Sequence, residues 1–152
     1  MSSPSYLSPE QIQSFHENGF LLIEGFWEDN KIAELRQEIG NVISSIDLSA
    51  SRSIFTTNNN MEGVNRDKYF LESGDVIRHF WEEKAFNEDG SPVQPLDQCI
   101  NKIGHALHDL CPAFQEVSYE ARVGSICRDL GMQVPTVAQS MYIFKQPAIG
   151  GE

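Results

Sequence analysis

His105 and His108 stand three residues apart, Lys102 precedes them by one further turn's spacing, and Met141 lies on a later stretch rich in β-branched and aromatic residues. On a helix, histidines at i and i+3 face one way and can offer two imidazoles to a metal. No Glu-x-x-His pattern or cysteine cluster accompanies this pair, so its ordinary reading is two surface or hydrogen-bonding histidines. Lys102 taken alone reads as a solvated lysine, and Met141 as a filler of irregular core space. Cys99, Cys111 and Cys127 are odd in number and widely spaced, and they read as reduced thiols with no zinc or redox motif. P-loops, dinucleotide fingerprints, nucleophile elbows and HExxH zinc motifs do not occur.

The stretch best suited to form a ligand cavity is 136–145, a predicted strand without internal Gly or Pro. Alternation places Val137, Gln139, Met141, Ile143 and Lys145 on one face and Ala138, Ser140, Tyr142 and Phe144 on the other. A face mixing amide, thioether and amine with aliphatics suits a cavity better than a dry core. Gln146-Pro147 ends the strand, Gly150-Gly151 begins a turn, and Glu152 follows at once. That ending predicts that the remainder of a sheet lies outside the chain.

Earlier elements must position these groups. Ser8-Pro9-Glu10-Gln11 predicts a helix start with a capping box and Pro at the first position, and Gly19 is placed to end that helix. Residues 20–23 read as a short buried strand. Asp29 or Asn30 is expected to cap a second helix, whose stripe is Ile32, Leu35, Ile39, Val42, Ile43 and Ile46. Residues 47–67 are polar, with Asn58-Asn59-Asn60 in the middle, and a loop so long is functional or disordered. Two strands, 69–71 and 76–81, are expected around Ser73-Gly74-Asp75, and Asn87-Glu88-Asp89-Gly90 predicts a turn. A third helix is predicted over 96–110, burying Ile100, Ile103, Leu107 and Leu110, with Lys102 on its flank and His105 and Asp109 opposite. A fourth, over 119–130, would bury Val123, Ile126, Cys127 and Leu130, with Gly131 beyond its end. Helices gathered before strands predict an α+β arrangement, in one domain spanning 1–152 without internal repeats.

The composition bounds the partners. A chain of 152 residues makes one domain, burying about 68–70 % of its unfolded surface. Its 40 % hydrophobic and 22 % charged residues are ordinary for a soluble protein. No run of about 18 apolar residues occurs, and Met1-Ser2-Ser3-Pro4-Ser5-Tyr6 has neither the basic nor the apolar part of a signal peptide. An intracellular, cytoplasmic protein with no membrane partner is expected. The net charge of −11 argues against broad contact with a phosphate backbone, so no nucleic-acid partner is expected.

Four segments carry a family resemblance: Gln13-Ser14-Phe15-His16-Glu17-Asn18-Gly19-Phe20-Leu21-Leu22-Ile23-Glu24-Gly25-Phe26; Ser73-Gly74-Asp75-Val76-Ile77-Arg78; Ile100-Asn101-Lys102-Ile103-Gly104-His105-Ala106-Leu107-His108; and Gln139-Ser140-Met141-Tyr142-Ile143-Phe144-Lys145-Gln146-Pro147 with Gly150-Gly151-Glu152. Together they resemble the phytanoyl-CoA dioxygenase family, over essentially the whole chain. The opening helix, Gly-Phe and strand are weakly specific, whereas the last two segments are much more so. The resemblance implies a double-stranded β-helix, or jelly-roll, dioxygenase, of which this chain carries the N-terminal helices and first strands. It implies iron(II) held by two histidines and a carboxylate, with open positions for 2-oxoglutarate and O₂. Lys102 matches the family lysine that reaches the 2-oxoglutarate site, and Met141 matches the residue on the first long barrel strand whose surroundings contact that co-substrate.

The resemblance also implies what is missing. The first family histidine and the carboxylate form a His-x-Asp motif just beyond the Gly-Gly-Glu turn, and the second histidine and an arginine for 2-oxoglutarate lie further on. His16, His79, His105 and His108 match no ligand position, so no metal or catalytic residue is assigned. The expectation is a fragment of an iron(II)- and 2-oxoglutarate-dependent hydroxylase, inactive alone and of unknown substrate. The alternative is a non-catalytic truncated product that binds or regulates a partner through its open sheet edge.

Overall fold

The computed structural model describes residues 5–55 and 68–150. Asn58-Asn59-Asn60, Gly151 and Glu152 lie outside the described residues. Helix α1 spans Pro9–Asn18 and starts as its sequence predicts. The Gln11 amide donates to Ser8 Oγ at 3.2 Å, and the Ser8 amide donates back to Gln11 Oε1 at 2.9 Å. Gly19 closes the helix at φ 80°, its N–H donating to the Phe15 carbonyl.

Residues 20–23 do not form the expected strand. Phe20 and Leu22 are 70 % and 73 % exposed, while Leu21 and Ile23 turn towards Val123, Ile126 and Cys127. With Phe26 these residues line an open apolar groove of about 290 Å³. A short apolar run needs a neighbouring strand edge, and the sheet lies elsewhere. Helix α2 spans Asp29–Ser45, with Glu28 at the N-cap in place of the expected Asp29 or Asn30. Its stripe meets the core through Ile39, Val42 and Ile43, and Ile46 packs on the same cluster.

The molecule has mixed helix and sheet, with one small antiparallel sheet in the order β1-β2-β3. Strand β1 is Ile77–Trp81, β2 is Ile100–His105 and β3 is Ser140–Ile143. Residues 69–71, expected as a strand, lie instead in the single-turn helix α3, Lys68–Leu71. The turn at 87–90 forms as expected, closed by the Gly90 amide on the Asn87 carbonyl.

The largest departure concerns 96–110. That segment is a 3₁₀ turn, Leu96–Gln98, then β2, then the short helix α4, Leu107–Leu110. Ile100 and Ile103 are both buried in one core cluster, as the helical stripe required, because a register shift opposite Phe80 and Trp81 lets these residues, three apart, share a face of the central strand. A strand covered on both faces loses the period-two signal, so its apolar spacing can mimic a helix. Leu110, expected inside, is exposed, and His105, expected outside, is buried.

Pro112 opens a further helix, α5, Pro112–Ser118, at the position where proline costs no hydrogen bond. The expected fourth helix is α6, Ala121–Asp129. Strand β3 is shorter than the expected 136–145, although the Phe144 amide still reaches the Asn101 carbonyl at 2.9 Å. Ile39, Trp81, Ala85, Cys99, Ile100, Ile103, Leu107, Cys111 and Ile149 form the buried core, with Tyr142 and Phe144 packed against it. Among the described residues no helix is long and apolar enough to cross a membrane.

Candidate functional site

Lys102 sits in the middle of the sheet. It pairs with Phe80 of β1 on one side and Ile143 of β3 on the other. One pleat period along, Gly104 pairs with Arg78 and with Met141. Residues directly opposite share a face, so Lys102 and Met141 are diagonal neighbours, a separation of about 7–8 Å. The sequence brought these two residues together from a helix and a strand; the structure does so from two adjacent strands.

The face is held open by a missing side chain. A Cβ on Gly104 would lie 3.1 Å from Met141 Cγ and 3.1 Å from the Ser140 carbonyl oxygen. Glycine therefore lets β3 approach β2 and leaves Met141 lying across the strand. Met141 and Ile143 are 40 % and 49 % exposed, so the mixed face of the terminal strand is an accessible surface, and Tyr142 turns to the core.

Lys102 itself is only 4 % exposed. Its Nζ stands 3.5 Å from the centre of the Phe55 ring and 5.3 Å from those of Phe70 and Phe80. These rings come from the 47–67 loop, from α3 and from β1. The ring faces attract the ammonium, yet they donate no full negative charge. Among the described residues no carboxylate pairs with Lys102. Burial alone pushes its pKa down to about 8. A buried charge left unpaired is costly, and such a site is where an anion gains most.

The histidines are dispersed. His105 Nδ1 lies 2.7 Å from Ser73 Oγ. His108 is tied to β3: its backbone N–H donates to Ser140 Oγ at 2.9 Å, and its Nδ1 lies 2.8 Å from the same oxygen. The expected helical pair therefore does not exist, because the two residues lie on different elements. His79 pairs with Ile103 and is buried, which lowers its pKa. His16 is exposed on α1. Among the described residues, no three His, Cys, Asp or Glu side chains come together as a metal site.

Among the described residues there is thus a buried cation open to an anion and no set of ligands that would hold iron. A buried ammonium without a carboxylate partner among the described residues, beside an accessible thioether, can hold an anion. Sequence reading missed Phe55, Phe70 and Phe80 as the enclosure of Lys102. Their only signal was aromatic density on either side of Ser73-Gly74-Asp75, which does not reveal what it surrounds.

Comparison with known proteins gives this site a setting. The family model described as Phytanoyl-CoA dioxygenase (PhyH) matches residues 15–152. A phytanoyl-CoA dioxygenase of Arabidopsis thaliana is 45 % identical over 146 residues, covering 96 % of this chain and 50 % of the relative. Phytanoyl-CoA dioxygenase domain-containing protein 1 of Mus musculus is 43 % identical over 149 residues, with 96 % and 51 % covered. Its homolog in Caenorhabditis elegans is 40 % identical over 140 residues, with 91 % and 48 % covered. The chain thus spans about half the length of the curated relatives it matches.

Proposed function

The chain belongs to the phytanoyl-CoA dioxygenase family, and from that premise we propose that it is the N-terminal part of an iron(II)- and 2-oxoglutarate-dependent oxygenase acting on a small molecule. Its three strands would begin a jelly-roll barrel, and its share of the chemistry would be one end of the co-substrate site. The family is generally dependent on iron(II) and 2-oxoglutarate; with O₂ as oxidant, one oxygen atom would enter a C–H bond while the other would be taken up as 2-oxoglutarate is decarboxylated to succinate and CO₂.

Lys102 and Met141 would hold 2-oxoglutarate. The Lys102 ammonium donates to one carboxylate, and such charge-assisted bonds are roughly twice as strong as neutral ones. Phe55, Phe70 and Phe80 keep water from that ammonium and fix its direction. Met141 lies along the neighbouring strand as an adaptable apolar contact. No described residue is given a part in binding iron or in moving a proton.

The observation that carries this reading is the Lys102 ammonium, buried among three phenyl rings without a carboxylate partner among the described residues. Calorimetric titration of 2-oxoglutarate into the protein with its complete domain tests it. Lys102→Met removes one charge-assisted bond and should weaken binding roughly 10- to 150-fold. Equal affinities in wild type and variant would rule the assignment out. Iron-dependent succinate formation by residues 1–152 alone would oppose the fragment reading.

A further inference from the structure

A second buried group shares the enclosure of Lys102. His105 is as buried as the lysine, and its ring centre lies 5.5 Å from that of Phe70 and 5.4 Å from that of Phe80. Those are two of the rings that flank Lys102 Nζ. The protonation state of the imidazole therefore decides whether this enclosure holds one positive charge or two. Among the residues of the three strands, the other charge on this face is Arg78 of β1, which is turned away onto Tyr69. Its guanidinium lies 4.6 Å from the Tyr69 ring centre and donates to the Tyr69 carbonyl.

Ser73 chooses the tautomer. Its Oγ lies 2.6 Å from the Phe70 carbonyl oxygen and 2.7 Å from His105 Nδ1. A hydroxyl has one hydrogen, and a carbonyl has none to give. Two oxygens at that distance need a hydrogen between them, so Ser73 donates to Phe70. Towards His105 it can then only accept, and Nδ1 must carry the hydrogen. Burial first, and the Lys102 charge second, hold the imidazole below its ordinary pKa and outweigh a hydrogen bond to the Ser73 backbone that raises it, so the ring stays neutral with a bare Nε2.

We propose that Ser73 makes Nδ1 the protonated nitrogen of His105 and that burial in the enclosure beside Lys102 keeps Nε2 bare, so that the Lys102 enclosure holds a single positive charge and selects a single carboxylate over a dianionic phosphate. His105 is then a positioning residue, acting on the charge and direction of Lys102. The ligand half of this inference rests on the reading of Lys102 as a 2-oxoglutarate contact. The tautomer half can be measured without any ligand.

The test is nitrogen NMR of the ¹⁵N-histidine-labelled protein at pH 7, with His105→Asn used to assign the resonance. Wild type should show a protonated Nδ1 and a bare Nε2. Ser73→Ala should populate the Nε2–H tautomer and weaken 2-oxoglutarate binding by roughly tenfold, and Ser73→Thr should restore both. A merely structural serine would lower the melting temperature without moving the tautomer. A doubly protonated or Nε2–H imidazole in wild type overturns the proposal, as does an unchanged tautomer in Ser73→Ala. Inorganic phosphate binding as tightly as 2-oxoglutarate overturns its selectivity. The expected tautomer together with no 2-oxoglutarate binding by wild type would leave Ser73 and His105 their role and sink the co-substrate assignment instead.

Discussion

Replacing Lys102 by Met removes the buried charge while keeping an unbranched stem of similar length among the three phenyl rings. The wild-type ammonium has its pKa lowered from 10.5 to about 8 by burial. Each pKa unit corresponds to about 1.4 kcal/mol, so the charged form costs the folded state about 2 to 4 kcal/mol. The sign follows from proton counting. Between pH 8 and 10.5 the unfolded chain keeps the Lys102 proton and the folded chain has lost it, so folding becomes more favourable as pH rises. Below pH 8 both states are protonated and the full penalty applies. Urea unfolding of both proteins at pH 7, 8, 9 and 10 separates this group from the cysteines, tyrosines and other lysines, which titrate in both. The variant should be the more stable protein at pH 7, and its advantage should fall by about 2 kcal/mol or more towards pH 10. Parallel pH profiles would show that Lys102 is not desolvated in the folded protein. A stabilising substitution that also removes ligand affinity is the signature expected of a residue kept for function.

Other consequences follow from contacts around the sheet. Gly104→Ala would press a methyl group against Met141 Cγ and the Ser140 carbonyl, each 3.1 Å from the new Cβ, costing about 1–3 kcal/mol in a thermal melt and weakening 2-oxoglutarate binding through Met141. Gly150→Ala should destabilise by a similar amount, since its Cβ would overlap the buried Glu82 carboxylate; Gly74→Ala, which meets nothing within 4 Å, should be neutral in the same melt. Ser140→Ala removes the oxygen bonded to the His108 backbone and ring, and it should cost about 1–3 kcal/mol and loosen hydrogen-exchange protection at the start of α4.

Local chemistry made the first half of the chain readable. Ser8, Pro9, Gln11 and Gly19 each act within a few residues of themselves, so the ends of α1 need no tertiary information. The stripe of α2 is similarly self-announcing. Residues 20–23 failed because an apolar tetrapeptide has the same composition whether it pairs in a sheet or lays alternate side chains on a helix. Here Leu21 and Ile23 cover α6.

Residues 96–110 show a deeper ambiguity, and it falls on the site itself. Ile100, Ile103 and Leu107 are all buried in one core cluster, as a helical stripe predicts, yet β2 achieves this because a register shift at Asn101 lets Ile100 and Ile103 share the core face while Lys102 faces the aromatic enclosure. A central strand with both faces covered has no polar face to mark its period. Gly104 was the one local objection to a helix, and its reason is non-local: Met141 of β3 occupies the space a side chain would need. Lys102 follows the same logic. On a helix flank it would have been a solvated lysine, and on β2 it is enclosed by rings from positions 55, 70 and 80. A buried lysine with no carboxylate partner among the described residues offers its charge to an anion, which is what the proposed reading supplies. The resemblance pointed to that ligand, and the burial gives a physical reason for the lysine to be there.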